Sequence, residues 1–592
     1  MKKIAILLIV ICTSLVSLHA QKWLWARGQN GTADPYGGDH PVASDNHGNA
    51  YETGVFLSSV VYGSTTLTSV SDDMFLVKYD SNGNVQWAVQ SNSVGTVSFG
   101  GVDGCSVSTD SARNVYVAGT FLDSVYFDKT LLYSGNGDIF IAKYTSLGKL
   151  IWVKQSHSSI TSPGIGIFST FLSATTDVSG NTYITSTFID SITFGSLVLT
   201  ETSATGNAFI VMCDSSGNVK WGHNFNTSGN PNTSGSNSAG ESVALDNNGG
   251  VYWTGSFIDT VTLGANTLRS PGTDCFLARY TVNGNLVWLK TASVPSSSSS
   301  AVPVSIGADG LGNIYMAGNL TDTAYFNGYT LKSAKSSIFL VKFDTLGNVL
   351  WAKNGGSYNP YYQGTWSVTS GVKTLGGGYL IMYCSPSVNG EEFVFGNDSL
   401  ALKEVNPFDI DEIMMEFDPN GKILCNSAFD EGSEDDGTFI SADPTGRYIY
   451  TGGDLFDTIV LAGDTLPGSL DNGFITRWVP CIYPTVDTIG SGPIIKPKED
   501  TTCPVYVPTA FSPNGDHHND IEYVYGNCIS GLDFIIYDRW GNKVFESTTV
   551  KYGWDGTYKG QAMNTGAFAY YLTAVMPDGT VVKKKGSIAL VR

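Results

Sequence analysis

Carboxylates return along this 592-residue chain at a nearly fixed interval: Asp45, Asp110, Asp177, Asp246, Asp309 and Asp443. Paired carboxylates facing one pocket could cleave glycosidic bonds by general acid and base or nucleophilic attack. Each of these aspartates, however, heads a short turn-forming segment, such as SDNHGNAYETGVF from Ser44, TDSARNVYVAGTF from Thr109 or LDNNGGVYWTGSF from Leu245. An Asp at the head of a tight turn accepts hydrogen bonds from backbone N–H groups one to three residues on, which makes it a structural cap. Of the seven histidines, His19 lies in an apolar leader, and His40, His47, His157, His223, His517 and His518 show no spacing that suggests metal ligation or a nucleophile–base pair. The residue types therefore argue for a chain that is not an enzyme.

The elements that carry these aspartates are hairpins. DMFLVKYDSNGNVQWA (Asp73 to Ala88) joins two apolar strands through a Ser-Asn-Gly-Asn turn, and it returns at Asp138, Asn207, Asp274 and Ser337, with weaker copies at Glu412 and Gly473. Asn-Gly and Gly-Asn pairs supply the positive φ that tight hairpins need. The closing residues Tyr79, Tyr144, Cys213, Tyr280, Phe343, Phe417 and Trp478 fall 61 to 74 residues apart. With an Asp-headed hairpin before six of them, and only GGGYLIMYC (Gly376 to Cys384) in the sixth unit, every repeat offers four strands. Four-stranded units repeated radially predict an all-β, seven-bladed β-propeller.

The last repeat lacks the Trp-Ala strand that ends the others, while the chain near its start reads KWLWARG, Lys22 to Gly28. We therefore expect this N-terminal strand to complete the last blade and close the ring, since an open ring leaves exposed sheet edges.

Residues 1–20 carry Lys2, Lys3, an apolar run from Ile4 to Leu18 and a small residue at position 20, the pattern of a secretory signal peptide. Cys12 lies within the apolar run, so lipidation is not expected. The formal charge of −20 becomes −22 once Lys2 and Lys3 are removed, which disfavours nucleic acid and anionic membrane as partners. Cys105, Cys213, Cys275, Cys384 and Cys425 fall at unrelated points of the repeats, and no spacing suits a metal site. After Trp478 the composition changes: residues 481–502 read as a linker and 503–592 as a second, small β-rich domain. A bridge between Cys503 and Cys528 suits an oxidising exterior.

Two resemblances follow from these motifs. Residues 21–480, with their D-x-x-G-N-x-Y-x-T-G hallmark, resemble the secreted bacterial β-propeller repeat of the SBBP type. Residues 503–592 resemble the gliding-motility-associated C-terminal domain of Bacteroidetes proteins, through VPTAFSPNGDHHND (Val507 to Asp520), IIYDRWGNKVFES (Ile535 to Ser547), WDGTYKGQAMNTGAFAYYL (Trp554 to Leu572) and DGTVVKKKGSIALVR (Asp578 to Arg592). That likeness implies a type B sorting signal read by the type IX secretion system, hence a secreted or surface-displayed protein passing through the periplasm. His517 stands where the family has Gly. The physical reading of this segment is an Ig-like β-sandwich, with Trp540 and Trp554 supplying core mass. The likeness of the recurring aspartates to sialidase Asp-boxes is superficial, because Tyr51, Tyr116 and Tyr183 replace the Trp that closes that motif.

Three candidate sites remain. The entry to the sixth repeat, SYNPYYQGTW, holds Tyr358, Tyr361, Tyr362 and Trp366, more aromatics than the template asks for. Exposed aromatics stack on sugars or anchor protein partners, so these are the candidate glycan- or protein-binding residues; packing beneath a long loop is the alternative. Asp516, Asn519 and Asp520 could ligate Ca²⁺ through hard oxygens, or simply serve a turn. No other cofactor is expected. The third set is Asp-Ser/Thr followed by an apolar residue, as at Asp123, Asp190, Asp259 and Asp322, which looks like the O-glycosylation sequon of exported Bacteroidetes proteins. The reading is an exported binding or adhesion protein whose partners are the type IX machinery and a glycan or surface protein. A polysaccharide-acting enzyme and a structural surface component are the alternatives.

Overall fold

The computed structural model describes residues 22–591 apart from 32–39, 95–100, 160–171, 202–205, 228–237, 310–311, 356–365, 373–378, 385–392, 401–411, 430–436, 467–471, 481–506, 514–520, 525–530, 550–551, 576–580 and a few isolated positions after 396. The chain divides into two compact units, Met1–Thr485 and Val486–Arg592. The leader 1–20, the linker 481–502, Cys503 and Cys528 lie outside the described residues.

In the first unit every repeat becomes one antiparallel four-stranded sheet. The first repeat pairs Val42–Ser44, Ala50–Phe56, Asp73–Tyr79 and Val85–Gln90 in that order. The same order holds through the sixth, Trp366–Val372, Tyr379–Cys384, Glu412–Phe417 and Ile423–Phe429. The seventh runs Gly437–Ala442, Ile449–Leu455 and Asn472–Val479, and its fourth strand is Lys22–Gly28, paired antiparallel with Phe474–Val479. First strands of successive repeats pack side by side, and Gly437–Ala442 packs on Val42–Ser44, so the seven first strands form a closed ring.

Packing explains why the third strands are not amphipathic. Asp73–Tyr79 and Asn207–Cys213 are buried at every position, because each sheet is covered by a neighbour on both faces, the pattern of doubly covered sheets. Apolar clusters span consecutive repeats: Tyr51, Met74 and Leu76 of the first meet Val117, Phe140 and Val153 of the second, while Trp25 and Ile475 of the seventh meet Phe75 and Tyr79 of the first. Each such Phe, Leu or Val is worth ~1.5–3 kcal/mol on burial.

One feature exceeds the four-strand expectation. A short hairpin, Ser59–Tyr62 with Thr65–Thr68 in the first repeat and Ser191–Phe194 with Leu197–Thr200 in the third, splits from the sheet and buries Val60, Tyr62, Ile192 and Phe194. In the second, fourth and fifth repeats it continues the long second and third strands. Asp123, Asp190, Asp259 and Asp322 sit where the hairpin departs, each with φ between 63° and 69°. Asp is among the residues that tolerate this left-handed conformation, so the Asp-Ser/Thr pattern has a backbone cause.

Successive repeats are also joined by a polar clamp. Trp87 Nε1 and Lys78 Nζ both donate to the Ser146 carbonyl, at 3.1 and 3.0 Å. Trp152 and Lys143 share Ser215, Trp288 and Arg279 share Thr345, and Trp351 and Lys342 share Pro419. Across the closure, Trp25 and Arg477 both donate to the Ser81 carbonyl. The turn glycine that follows has two reasons to be Gly: Gly83 has φ of 77°, and a Cβ there would meet the Trp25 ring at 2.7 Å.

The sixth-to-seventh junction breaks the rule, with Glu416 at the Lys position and Cys425 at the Trp position. Cys425 is disulfide-bonded, whereas Cys105, Cys213 and Cys275 are buried thiols. Counting on from Trp478 as from Tyr79 puts Cys481 in the turn segment that the clamp engages elsewhere. A covalent link there would do the work of the missing Trp and Lys. Non-reducing peptide mapping is expected to find Cys425 joined to Cys481. Loss of a native disulfide commonly costs ~2–5 kcal/mol, so reductant should lower the melting temperature of the native chain and leave Cys425→Ala unmoved. A map joining Cys425 to another cysteine, or an indifferent midpoint, would refute the substitution.

In the second unit five strands form one mixed sheet in the order Ala510–Phe511, Val581–Leu590, Gly566–Val575, Gly531–Tyr537 and Lys543–Ser547, the first pair parallel. Trp554 is buried against Phe511 and Phe568. Trp540 is not core, contrary to expectation: it is 78% exposed. The reason is local. Asp538 caps the N–H groups of Trp540 and Asn542 in the same turn used by the repeats, which holds the Trp at a hairpin tip.

Candidate functional site

The recurring aspartates are turn caps. Asp45 Oδ1 accepts from the N–H groups of His47 and Asn49 at 2.9 and 3.0 Å, and Oδ2 accepts from Asn49 Nδ2 and the Tyr51 hydroxyl. Asp110, Asp246 and Asp309 repeat the scheme, with hydroxyls of Tyr116, Tyr252 and Tyr315 at 3.1, 2.8 and 3.3 Å. Burial and the adjacent carboxylate push these phenols well above their ordinary range.

A cation completes the arrangement. Lys143 Nζ lies 4.8 Å from the centre of the Tyr116 ring, 3.8 Å from Asp110 Oδ2 and 3.1 Å from the Ser215 carbonyl. Arg279 lies 5.6 Å from the Tyr252 ring and 4.0 Å from Asp246. Lys78 and Lys342 lie over Tyr51 and Tyr315. The third repeat keeps Asp177 and Tyr183 but has Met212 at the cation position. Its Tyr183 hydroxyl is buried with no hydrogen-bond partner among the described residues.

That departure borders a cavity of about 610 Å³ whose walls include Asp177, Tyr183, Asp246, Asn247, Val282 and Ser305. The ring wall beside it is sewn by hydroxyls: Ser106 Oγ donates to the Ala174 carbonyl, Ser108 bonds Thr176, and Thr109 Oγ1 donates to the Ser44 carbonyl.

Sequence reasoning missed a polar network at the closure. His40 Nδ1 is 3.2 Å from Glu52 Oε1, the Tyr79 hydroxyl donates to Glu52 Oε2 at 2.7 Å, and Gln29 Nε2 donates to the Tyr62 hydroxyl at 2.7 Å. His40 and Glu52 are 2% and 1% exposed, which places the pair in the core. No spacing signals it, because it joins the N-terminal strand to the second and third strands of the first repeat. Glu241 is pushed up to about 7 and Asp274 to about 6, both by burial. Among the described residues no group of three or more His, Cys, Asp or Glu could hold a metal ion.

Tyr358, Tyr361 and Tyr362 lie outside the described residues, as do Asp516, Asn519 and Asp520. Trp366, the last residue of the entry segment, opens the first strand of the sixth repeat, its backbone paired with Cys384. No described helix is long and apolar enough to cross a membrane.

Residues 505–590 match the CHU_C type IX secretion signal domain. A WD repeat-containing protein of Acanthamoeba polyphaga mimivirus, itself uncharacterised, is 27% identical over 229 residues, 31% of this chain and 15% of that protein. The chain thus spans under a sixth of that curated relative. Among solved structures, a subtype N11 neuraminidase-like protein of influenza A/flat-faced bat/Peru/033/2010 is 10% identical, covering 66% of this chain and 88% of its own at a TM-score of 0.32. Cobalt-substituted ACO of Synechocystis is 11% identical, covering 96% and 93% at 0.24. Likenesses this loose carry no argument about activity. The secretion signal does: it implies engagement with the type IX machinery and export to the cell surface or the medium.

Proposed function

We propose that the chain is an exported binding or adhesion protein: a seven-bladed β-propeller of SBBP-type repeats, carried out by an Ig-like type IX sorting domain. The observation that carries this reading is the match of residues 505–590 to the secretion signal domain, on a compact unit separate from the repeats. Catalysis is no part of the proposal, because the recurring carboxylates are consumed as turn caps. Ligand selection falls to the sixth-repeat entry, where Tyr358, Tyr361, Tyr362 and Trp366 would stack on sugar faces or anchor a protein.

A glycan array on the purified chain identifies the ligand class. Replacing Tyr361, Tyr362 and Trp366 together with Ala is expected to weaken that binding at least tenfold, ~1.4 kcal/mol, at an unchanged melting temperature. Retained binding with a lowered midpoint would show that these side chains are core.

A further inference from the structure

The third repeat lacks a cation that its siblings supply from their own third strand. In the second repeat the ammonium of Lys143 is held by three groups: the Tyr116 ring, the Asp110 carboxylate and the carbonyl of Ser215 in the next repeat. The equivalent groups of the third repeat are Tyr183, Asp177 and the carbonyl of Val282. All three residues line the 610 Å³ cavity. Met212 packs instead into the apolar cluster with Tyr183, Phe225 and Trp253.

The remaining contacts are those of the siblings less two donors, the cation and the Tyr hydroxyl that elsewhere donates to the Asp. Asp177 accepts from the N–H groups of Ser179 and Asn181 and from Asn181 Nδ2, as its siblings do. Val282 O accepts from Trp221 Nε1 at 2.9 Å, whereas Ser146, Ser215, Thr345 and Pro419 each accept from both a Trp and a cation. A carbonyl oxygen has two lone pairs, so one acceptor site is open. Tyr183 is fully buried, and its hydroxyl has no partner among the described residues. An unsatisfied buried hydroxyl is destabilising, and a ligand donor or acceptor there would relieve it. Asp246 adds a second carboxylate to the cavity lining.

We propose that this cavity binds a small molecule through a protonated primary amine, seated where sibling repeats place their own Lys ammonium. The ring face, the carboxylate and the carbonyl suit a compact cation bearing N–H donors. A quaternary ammonium would satisfy the ring alone, and a bare monovalent metal ion would make no use of donor directionality.

The test is calorimetric titration of the purified chain with n-butylammonium chloride at constant ionic strength, with tetramethylammonium and potassium chloride as comparison ligands. Saturable binding of butylammonium, at a Kd of about 1 mM or tighter, is expected, with the comparison salts failing to compete. Met212→Lys should abolish binding by filling the position from within. Tyr183→Phe should weaken binding severalfold without lowering the melting temperature, since it removes a hydroxyl that the fold leaves unpartnered; this variant decides the matter should Met212→Lys fold poorly. Absence of saturable binding, equal binding of potassium or tetramethylammonium, or binding unaffected by Tyr183→Phe would overturn the proposal.

Discussion

A chain ending before Cys503 is expected to accumulate in the periplasm as a folded ring and to be lost from the cell surface and medium. The apolar leader at residues 1–20 would still direct it across the inner membrane, while the match at 505–590 identifies what the outer-membrane step reads. Loss of address need not mean loss of fold. Among the described residues, the apolar clusters of the repeats draw on none beyond Trp478, and the terminal unit has its own core of Phe534, Trp554, Phe568 and Leu572. Fractionation and blotting should therefore find nearly all of the truncated protein inside, resistant to protease like the intact ring. The reciprocal fusion, residues 481–592 on an unrelated periplasmic protein, should carry that protein out in a host with the same secretion system. Truncated protein outside the cell at normal levels would show that the terminal unit has another task, most simply a second binding module.

What could be read from the sequence follows from where the forces are local. Turn chemistry is local: Asp, Asn and Gly within five residues determine the hairpin, so the repeat period, the strand order and the capping role of Asp45 and its siblings were all legible. Closure was legible too, because a missing strand at one end and a surplus one at the other must balance. The Trp and the Lys or Arg of the clamp were visible in the first, second, fourth and fifth repeats, but their shared acceptor lies 57 to 77 residues away and has no sequence pattern of its own. Trp540 misled because an aromatic beside Gly in a β-rich segment reads as core, while it sits at the tip of a capped turn and is exposed. The Met212 position became informative only once the sibling lysines were seen to hold one environment.

Removing Gln21 to Arg27 should cost the ring more than any internal change of similar length. The strand it deletes is paired along Phe474–Val479, and with it go Trp25, 4% exposed and packed on Tyr79 and Tyr450, and Ala26, fully buried. Trp25, one of the two donors to the Ser81 carbonyl, and Arg27, which donates to the Gly83 carbonyl, go as well, and with them the Arg27–Asp464 ion pair at 2.7 Å. Truncating one buried Trp costs ~3–5 kcal/mol, and a strand edge left open invites pairing between copies. Against a usual stability of ~5–15 kcal/mol, the deletion should unfold or aggregate the protein at temperatures where the intact chain stays folded. Trp25→Ala gives the graded version, a loss of about 3 kcal/mol or more in denaturant titration, while Trp540→Ala, exposed on the other unit, should change stability by less than about 0.5 kcal/mol. An unchanged unfolding midpoint for the deletion would mean that the seventh sheet is stable with three strands and that the N-terminal strand decorates a ring already closed by its inner strands alone.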